Sequence, residues 1–292
     1  MTRADALHAF LAAAPSAALV EVAEAKGSTP REKGAWMLVS PTAIFGTIGG
    51  GQLEFMAIDK ARQVLAAGGG DRAGEGQRRA SPKFSRADLT LDIPLGPEIG
   101  QCCGGRVEVA ISLVDERKAE TLIEMVEAQE RGEPRVYIFG GGHVGHALAA
   151  AFALLPVGAI VVETRADALD DTPEGVETRL TPVPEEMVRE APAGAAFVVL
   201  THDHALDFLI VAEALKRNDA AYVGMIGSKT KKATFRSWYL RTAGGSEADF
   251  ARLVSPIGGE ALKDKRPAVI AALAAAEIMT ALLMAKAAKI PA

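Results

Sequence analysis

Residues 135–149 read RVYIFGGGHVGHALA. The apolar run over 135–139 predicts a strand with little polar character on either face. Gly140, Gly142 and Gly145 follow it directly in the spacing G-x-G-x-x-G, with His143 inside the loop, and residues 145–155 have the composition of a helix. In that context each glycine has a physical task. Gly140 permits a tight turn, Gly142 lets the backbone approach a ligand phosphate, and Gly145 lets the helix pack closely on the strand. The start of the helix offers free N–H groups and a partial positive charge to an anion. The pattern points to a Rossmann-type domain. Whether its loop holds a dinucleotide is a separate matter, because the turn and the packing alone also require glycines.

Downstream of this loop the alternation continues. Strands are predicted over 159–162, 176–180, 196–200 and 221–225, with helical stretches between most of them, notably 206–216. Such alternation implies a parallel sheet with helices on both faces. Glu163 ends the second strand, where dinucleotide-binding domains place an acid on the ribose hydroxyls. Arg165, two residues on, is a candidate for a ligand phosphate or for a surface ion pair with Asp167. Three further loops follow strands: Thr201-His202-Asp203-His204, residues 224–229 (GMIGSK, containing Ser228) and residues 255–259 (SPIGG). Ligands of open α/β sheets bind outside the carboxyl ends of the strands, so His202 and Ser228 join the candidate ligand residues. Two histidines without a nearby third ligand are poor grounds for a metal, and hydrogen bonding or capping of the next helix is the competing role for His202 and His204.

Upstream, shorter segments with glycine punctuation predict a small α+β domain. Strands are expected over 17–25, 35–40, 44–48, 87–93 and 106–114, and a helix over 51–67 with Leu53, Met56, Ala57, Val64 and Leu65 on one side. Residues 68–80 (GGGDRAGEGQRRA) read as an exposed flexible loop. A charged helix over 115–131, closed by Gly132 and Pro134, connects the halves. The predicted organisation is an N-terminal α+β domain over 1–115, a helical linker over 116–134 and a Rossmann-like domain over 135–292.

Two glycine motifs mark the N-terminal half. Gly27-Ser28-Thr29-Pro30-Arg31 lies between Lys26 and Lys33, and Gly46-Thr47-Ile48-Gly49-Gly50-Gly51 runs into a helix. Successive N–H groups in such loops form anion nests, which makes Ser28, Thr29, Arg31, Gly49 and Gly50 candidates. Hairpin turns with solvated charges account for the same composition. The segment Gly100-Gln101-Cys102-Cys103-Gly104-Gly105 holds both cysteines of the chain. A buried cysteine is commonly inert, but glycine neighbours leave a sulfur unshielded, and nearby amides and Arg106 favour the thiolate. A soft thiolate suits a soft metal or sulfur transfer.

Bulk properties narrow the classes. The chain has 292 residues, 49% hydrophobic and 24% charged, which suits two domains with real cores. Its net charge of −5 argues against nucleic acid as a partner. The N-terminus lacks the pattern of a signal peptide. The Ala-rich run 269–285, interrupted by Glu277, reads as a buried helix shorter than a membrane span, so no membrane association is expected. Two cysteines in one segment do not make a secreted disulfide framework, and the expected location is the cytoplasm.

The segments GSTPREKGAWMLVS, GTIGGGQLE, GQCCGG, VYIFGGGHVGHALA, THDHALD, GMIGSK and SPIGG occur in the order of the xanthine dehydrogenase accessory protein family (the XdhC/CoxI family), and the resemblance spans about residues 18–279. It implies a carrier rather than an enzyme: one that binds molybdenum cofactor (molybdopterin) and shields it from oxidation. It also implies help with sulfuration through a cysteine desulfurase, and delivery to the large subunit of xanthine dehydrogenase or a related molybdenum hydroxylase. Cys103 matches the family's C-G-G cysteine and is the expected contact to molybdenum, or the relay of sulfur to it. Gly140, Gly142, His143 and Gly145 match the family's glycine loop. The rival is an NAD(P)-dependent oxidoreductase using Gly140–Gly145 and Glu163, with His202 and Asp203 as a catalytic pair. An assembly scaffold with both loops empty is the third possibility. The connecting helix and the Ala-rich C-terminal helix are suited to a homodimer.

Overall fold

In the computed structural model the described residues are 2–68, 89–96, 104–259 and 264–288. The predicted loop at 68–80, beyond Gly68, and both cysteines lie outside them. The chain divides into two compact units, Thr2–Glu127 and Ala128–Ala292. The division falls inside the connecting helix.

The first unit contains α1 (Arg3–Ala13), β1 (Ala18–Lys26), β2 (Trp36–Val39), β3 (Ile44–Gly46), α2 (Gly51–Gly68), β4 (Leu89–Pro94), β5 (Arg106–Leu113) and most of α3 (Glu116–Arg131). Its strands form an antiparallel sheet in the order β3-β2-β1-β5-β4. Leu53, Ala57, Ala61 and Leu65 recur every four residues along α2 and pack on Val20, Met37, Val39, Val109 and Ile111. On the opposite face Trp36 and Leu38 meet Leu7, Leu122 and Val126. All four residues of β2 are buried because helices cover both of its faces. Helix α1, absent from the sequence-based expectation, is started by a reciprocal cap. The Asp5 N–H donates to Thr2 Oγ1 at 3.0 Å, and the Thr2 N–H donates to Asp5 Oδ2 at 2.9 Å.

The second unit contains β6 (Arg135–Phe139), α4 (His143–Phe152), β7 (Gly158–Glu163), β8 (Glu177–Leu180), α5 (Glu185–Glu190), β9 (Ala196–Val199), α6 (His204–Lys216), β10 (Tyr222–Met225), α7 (Lys229–Arg241), α8 (Glu247–Phe250), β11 (Leu253–Val254) and α9 (Pro267–Ala287). The sheet is parallel throughout, in the order β11-β10-β9-β6-β7-β8. The chain therefore leaves β6 towards one edge and returns to start β9 on β6's other side. This is the doubly wound Rossmann order, and its switch point lies between β6 and β9. Along β6, Val136 and Ile138 face α4 and α9, whereas Tyr137 and Phe139 face the core under α6 and α7.

Helix α9 corrects the expectation for the C-terminal run. It has 21 residues and is long and apolar enough to cross a membrane by length and composition. Here Ala271, Ala274, Ala275, Ile278 and Leu282 form its buried stripe, while Leu283 and Met284 are exposed. Pro267 at its first turn, which needs no N–H donor there, starts the helix earlier than apolar content alone indicated. Its one acid, Glu277, accepts hydrogen bonds from the Tyr222 hydroxyl and the Gly258 N–H, which tie α9 to β10 and to the loop after β11.

Candidate ligand-binding loops

At the switch point, β6 ends in a loop whose glycines have unequal roles. Gly140 has φ +119°, and a Cβ there would lie 2.5 Å from the Leu200 carbonyl oxygen. A Cβ at Gly141 would lie 2.1 Å from the Ala168 oxygen, and one at Gly145 would lie 1.9 Å from the Gly140 oxygen. Protein packing accounts for all three. Gly142 differs: a Cβ there meets nothing within 4 Å, and its φ of −86° is open to any residue. Gly142 is the N-cap of α4 without a side-chain cap, and the first helical bond runs from the His146 N–H to the Gly142 oxygen at 2.9 Å. The N–H groups of His143, Val144 and Gly145 precede that bond, so they lack helical acceptors.

Glu163 ends β7 beside this loop, but its carboxylate is turned into the protein and the residue is 4% exposed. Oε2 accepts from the Gly141 N–H at 3.0 Å and from the Arg165 guanidinium at 3.3 Å. Oε1 accepts from the Thr164 N–H at 2.8 Å, the Thr164 hydroxyl at 3.2 Å and the Arg165 N–H at 3.3 Å. Burial works against ionisation. The N–H groups of Gly141 and Thr164 together with Arg165 outweigh it and hold the carboxyl below its ordinary value. A short turn, Ala166–Leu169, adjoins the loop. Its Ala168 oxygen lies 3.0 Å from the His146 ring.

The next strand end carries Thr201 to His204. The cap of α6 is Asp203, whose Oδ1 accepts from the Ala205 N–H at 2.8 Å, so the capping role offered to the histidines falls to the aspartate between them. His202 and His204 are exposed. Behind them lies a pair that sequence reading missed. Asp207 is fully buried and accepts from the Thr201 N–H at 3.0 Å and the Thr201 hydroxyl at 2.7 Å. Its other oxygen is paired with Lys231, which also donates to the Ile226 oxygen at 3.0 Å. Ser228 caps α7 by accepting from the Lys231 N–H at 3.2 Å, which engages its side chain within the protein. Ser255, after β11, is buried with no partner for its hydroxyl.

In the first unit three glycine-bearing loops meet. A Cβ at Gly49 would lie 2.6 Å from Pro30, and one at Gly105 would lie 2.2 Å from the Ser28 oxygen. Ser28 and Arg31 are exposed and Thr29 is half-buried. The amide nest expected at 46–51 exists, and its occupant is internal. Glu54 Oε2 accepts from the Thr47 hydroxyl at 2.6 Å, the Ile48 N–H at 3.1 Å and the Gly50 N–H at 3.0 Å. The Gly49 N–H donates to Thr47 Oγ1 at 3.0 Å. The N–H groups of Gly49 and Gly50 thus serve protein acceptors in this structure. A carboxylate three residues after the glycine run, in the first turn of α2, was the available signal for Glu54. Arg106, expected to act on a thiol, is held by Asp92 at 2.6 and 2.5 Å. Cys103 lies outside the described residues; the next residue, Gly104, donates its N–H to the Leu95 oxygen at 2.8 Å. Among the described residues no group of three or more His, Cys, Asp or Glu is placed to hold a metal ion.

The chain thus joins an α/β unit in which glycine loops converge to a Rossmann unit whose glycine loop is open at Gly142. Residues 136–278 match the XdhC Rossmann domain and residues 10–73 match the XdhC and CoxI family model. The chain belongs to the XdhC and CoxI family. It is 28% identical over 252 residues to the uncharacterized protein YqeB of Escherichia coli (strain K12), covering 82% of this chain and 39% of YqeB. The chain therefore spans well under half the length of that relative. A crystal structure described as a xanthine dehydrogenase from Bacillus halodurans has the same fold, with a TM-score of 0.75 at 17% identity over 100% of this chain and 98% of that one.

Proposed function

We propose that the protein is an accessory factor for maturation of xanthine dehydrogenase or a related molybdenum hydroxylase, carrying molybdenum cofactor as cargo rather than catalysing a reaction. The observation that carries this reading is the convergence of the family-signature loops in the first unit. Pro30 packs on Gly49 and Ser28 on Gly105, and Cys103 directly precedes Gly104 in the chain. That arrangement gathers the most family-specific residues, where a soft thiolate would suit molybdenum or its sulfur ligand. In the second unit, the open face at Gly142 and the first N–H groups of α4 suit a phosphate such as the cofactor carries, with Arg165 and His143 as neighbouring polar groups. NAD(P) is the less favoured ligand, because the acid that would read its ribose is turned inward.

The reading includes the large subunit as recipient, a cysteine desulfurase as source of sulfur, a homodimer as the working form and the cytoplasm as its setting. The test is co-expression with the cofactor pathway, followed by metal analysis and pterin fluorescence of the purified protein. Near-stoichiometric molybdenum and pterin are expected; their absence from wild type would refute the carrier role. Cys103→Ser should keep the melting temperature within about 2 °C, since the side chains are nearly equal in size. It should lower the activity restored to cofactor-free xanthine dehydrogenase at least ten-fold. Equal restoration would remove Cys103 from the mechanism while leaving the carrier role standing.

A further inference from the structure

In a dinucleotide-binding Rossmann domain the acid at the end of the second strand is a ligand residue: exposed to the crevice, with lone pairs free for two ribose hydroxyls. Glu163 occupies that position in this sheet, at the end of β7 and one strand away from the switch point. It meets neither requirement. A carboxylate has about four lone-pair directions, and five donors already surround this one, at 2.8 to 3.3 Å. Its exposure of 4% leaves no face for a ligand. The bond to Gly141 is the informative one, since it joins two segments 22 residues apart at the point where the loop turns towards α4.

We propose that Glu163 is a positioning residue that fixes the glycine loop from behind, and that the loop it holds recognises a phosphate ester without reading a ribose diol. The proposal rests on the reading of this loop as a phosphate site and adds the class of ligand it accepts. Three consequences of the geometry support it. The Gly141 N–H is drawn inward to Glu163, which leaves recognition to the N–H groups after Gly142. The Ala168 oxygen closes on Gly141 so tightly that no Cβ fits between them. The Arg165 guanidinium is kept beside the loop by the same carboxylate and is half exposed, with 44% of its side chain accessible. The side of the loop where a ribose would meet an acid therefore presents a cation instead.

Two measurements test this. The first needs no variant: the affinity of the intact wild-type protein for ADP is compared with that for 2′,3′-dideoxy-ADP by calorimetry. A carboxylate that reads the diol is worth on the order of a hundred-fold between them. The expected result is binding of both with no preference beyond about two-fold; failure of both nucleotides to bind overturns recognition of a phosphate ester by the loop. A ten-fold or greater preference for ADP overturns the proposal. The second is amide hydrogen exchange in Glu163→Gln and Glu163→Asp. Gln presents an NH2 group to one of the donors, so exchange at Gly141 and Thr164 should accelerate at least ten-fold, with partial recovery in the shorter but still anionic Asp variant. Unchanged exchange at Gly141 in Glu163→Gln overturns the positioning role. If the Gln variant does not fold, the ADP comparison on wild type still decides. Neither result depends on molybdenum content, so failure of the carrier reading and failure of this proposal are separately visible.

Discussion

Adding one methyl group has opposite consequences at two positions of the loop between β6 and α4. At Gly145 the new Cβ would lie 1.9 Å from a backbone oxygen, which no side-chain adjustment relieves. Gly145→Ala should cost about 3 kcal/mol in urea unfolding, at the upper end for overpacked sites. At Gly142 the Cβ enters open space with an unstrained φ. Gly142→Ala should be neutral or stabilising by up to about 1 kcal/mol, as for other glycines in compatible conformations. Gly142→Asp should leave stability near wild type but lower retention of a phosphate-bearing ligand at least ten-fold, because a carboxylate would stand where the anion approaches. Equal losses of stability at 142 and 145 would make the whole loop structural. The sequence motif already separated Gly142 from the turn and packing glycines, but did not reveal the atoms that enforce the difference, since only the folded chain brings Leu200 and Ala168 to the loop.

Among elements, the most consequential link is the one between the first turns of α6 and α7. Asp207 and Lys231 are 24 residues apart, both buried, and together they fix Thr201 and Ile226 at adjacent strand ends. Removing one partner leaves a buried charge without compensation. Lys231→Met should destabilise by roughly 3–5 kcal/mol, and Asp207→Asn in the Lys231→Met background should recover at least half of that. A double-mutant cycle by chemical denaturation measures this directly, and additive losses would deny the coupling. This pair shows where sequence reading ends. The β6 strand, the glycine loop and α4 were legible because each is specified by residues within one or two turns. The strand-helix alternation likewise fixed the parallel sheet. Lys231 looks like any surface lysine in KTKK, and nothing local says that its ammonium turns back under the loop. Helix α1 was missed although Thr2 and Asp5 carry a capping signature, because only Ala4 and Leu7 of that helix are buried and the apolar pattern is weak.

Considered whole, the molecule sets its apolar surface unevenly. Phe55 and Met56 on α2 and Leu283 and Met284 on α9 are exposed while the cores beneath them are closed. The polar loops show the converse economy, and Glu54 is the clearest instance. By filling the nest at 47–50 with its own carboxylate, the chain supplies its backbone with the anion that the loop geometry demands. Without an acceptor the nest would leave N–H groups unsatisfied. Glu54 makes this loop self-sufficient, so it need not borrow a counter-ion from the solvent to keep its shape. Glu54→Ala should create that dependence. Its melting temperature should fall below wild type and then rise more steeply with added sulfate, as binding to the native state alone requires. Parallel sulfate responses in the two proteins would show that the nest does not need an occupant.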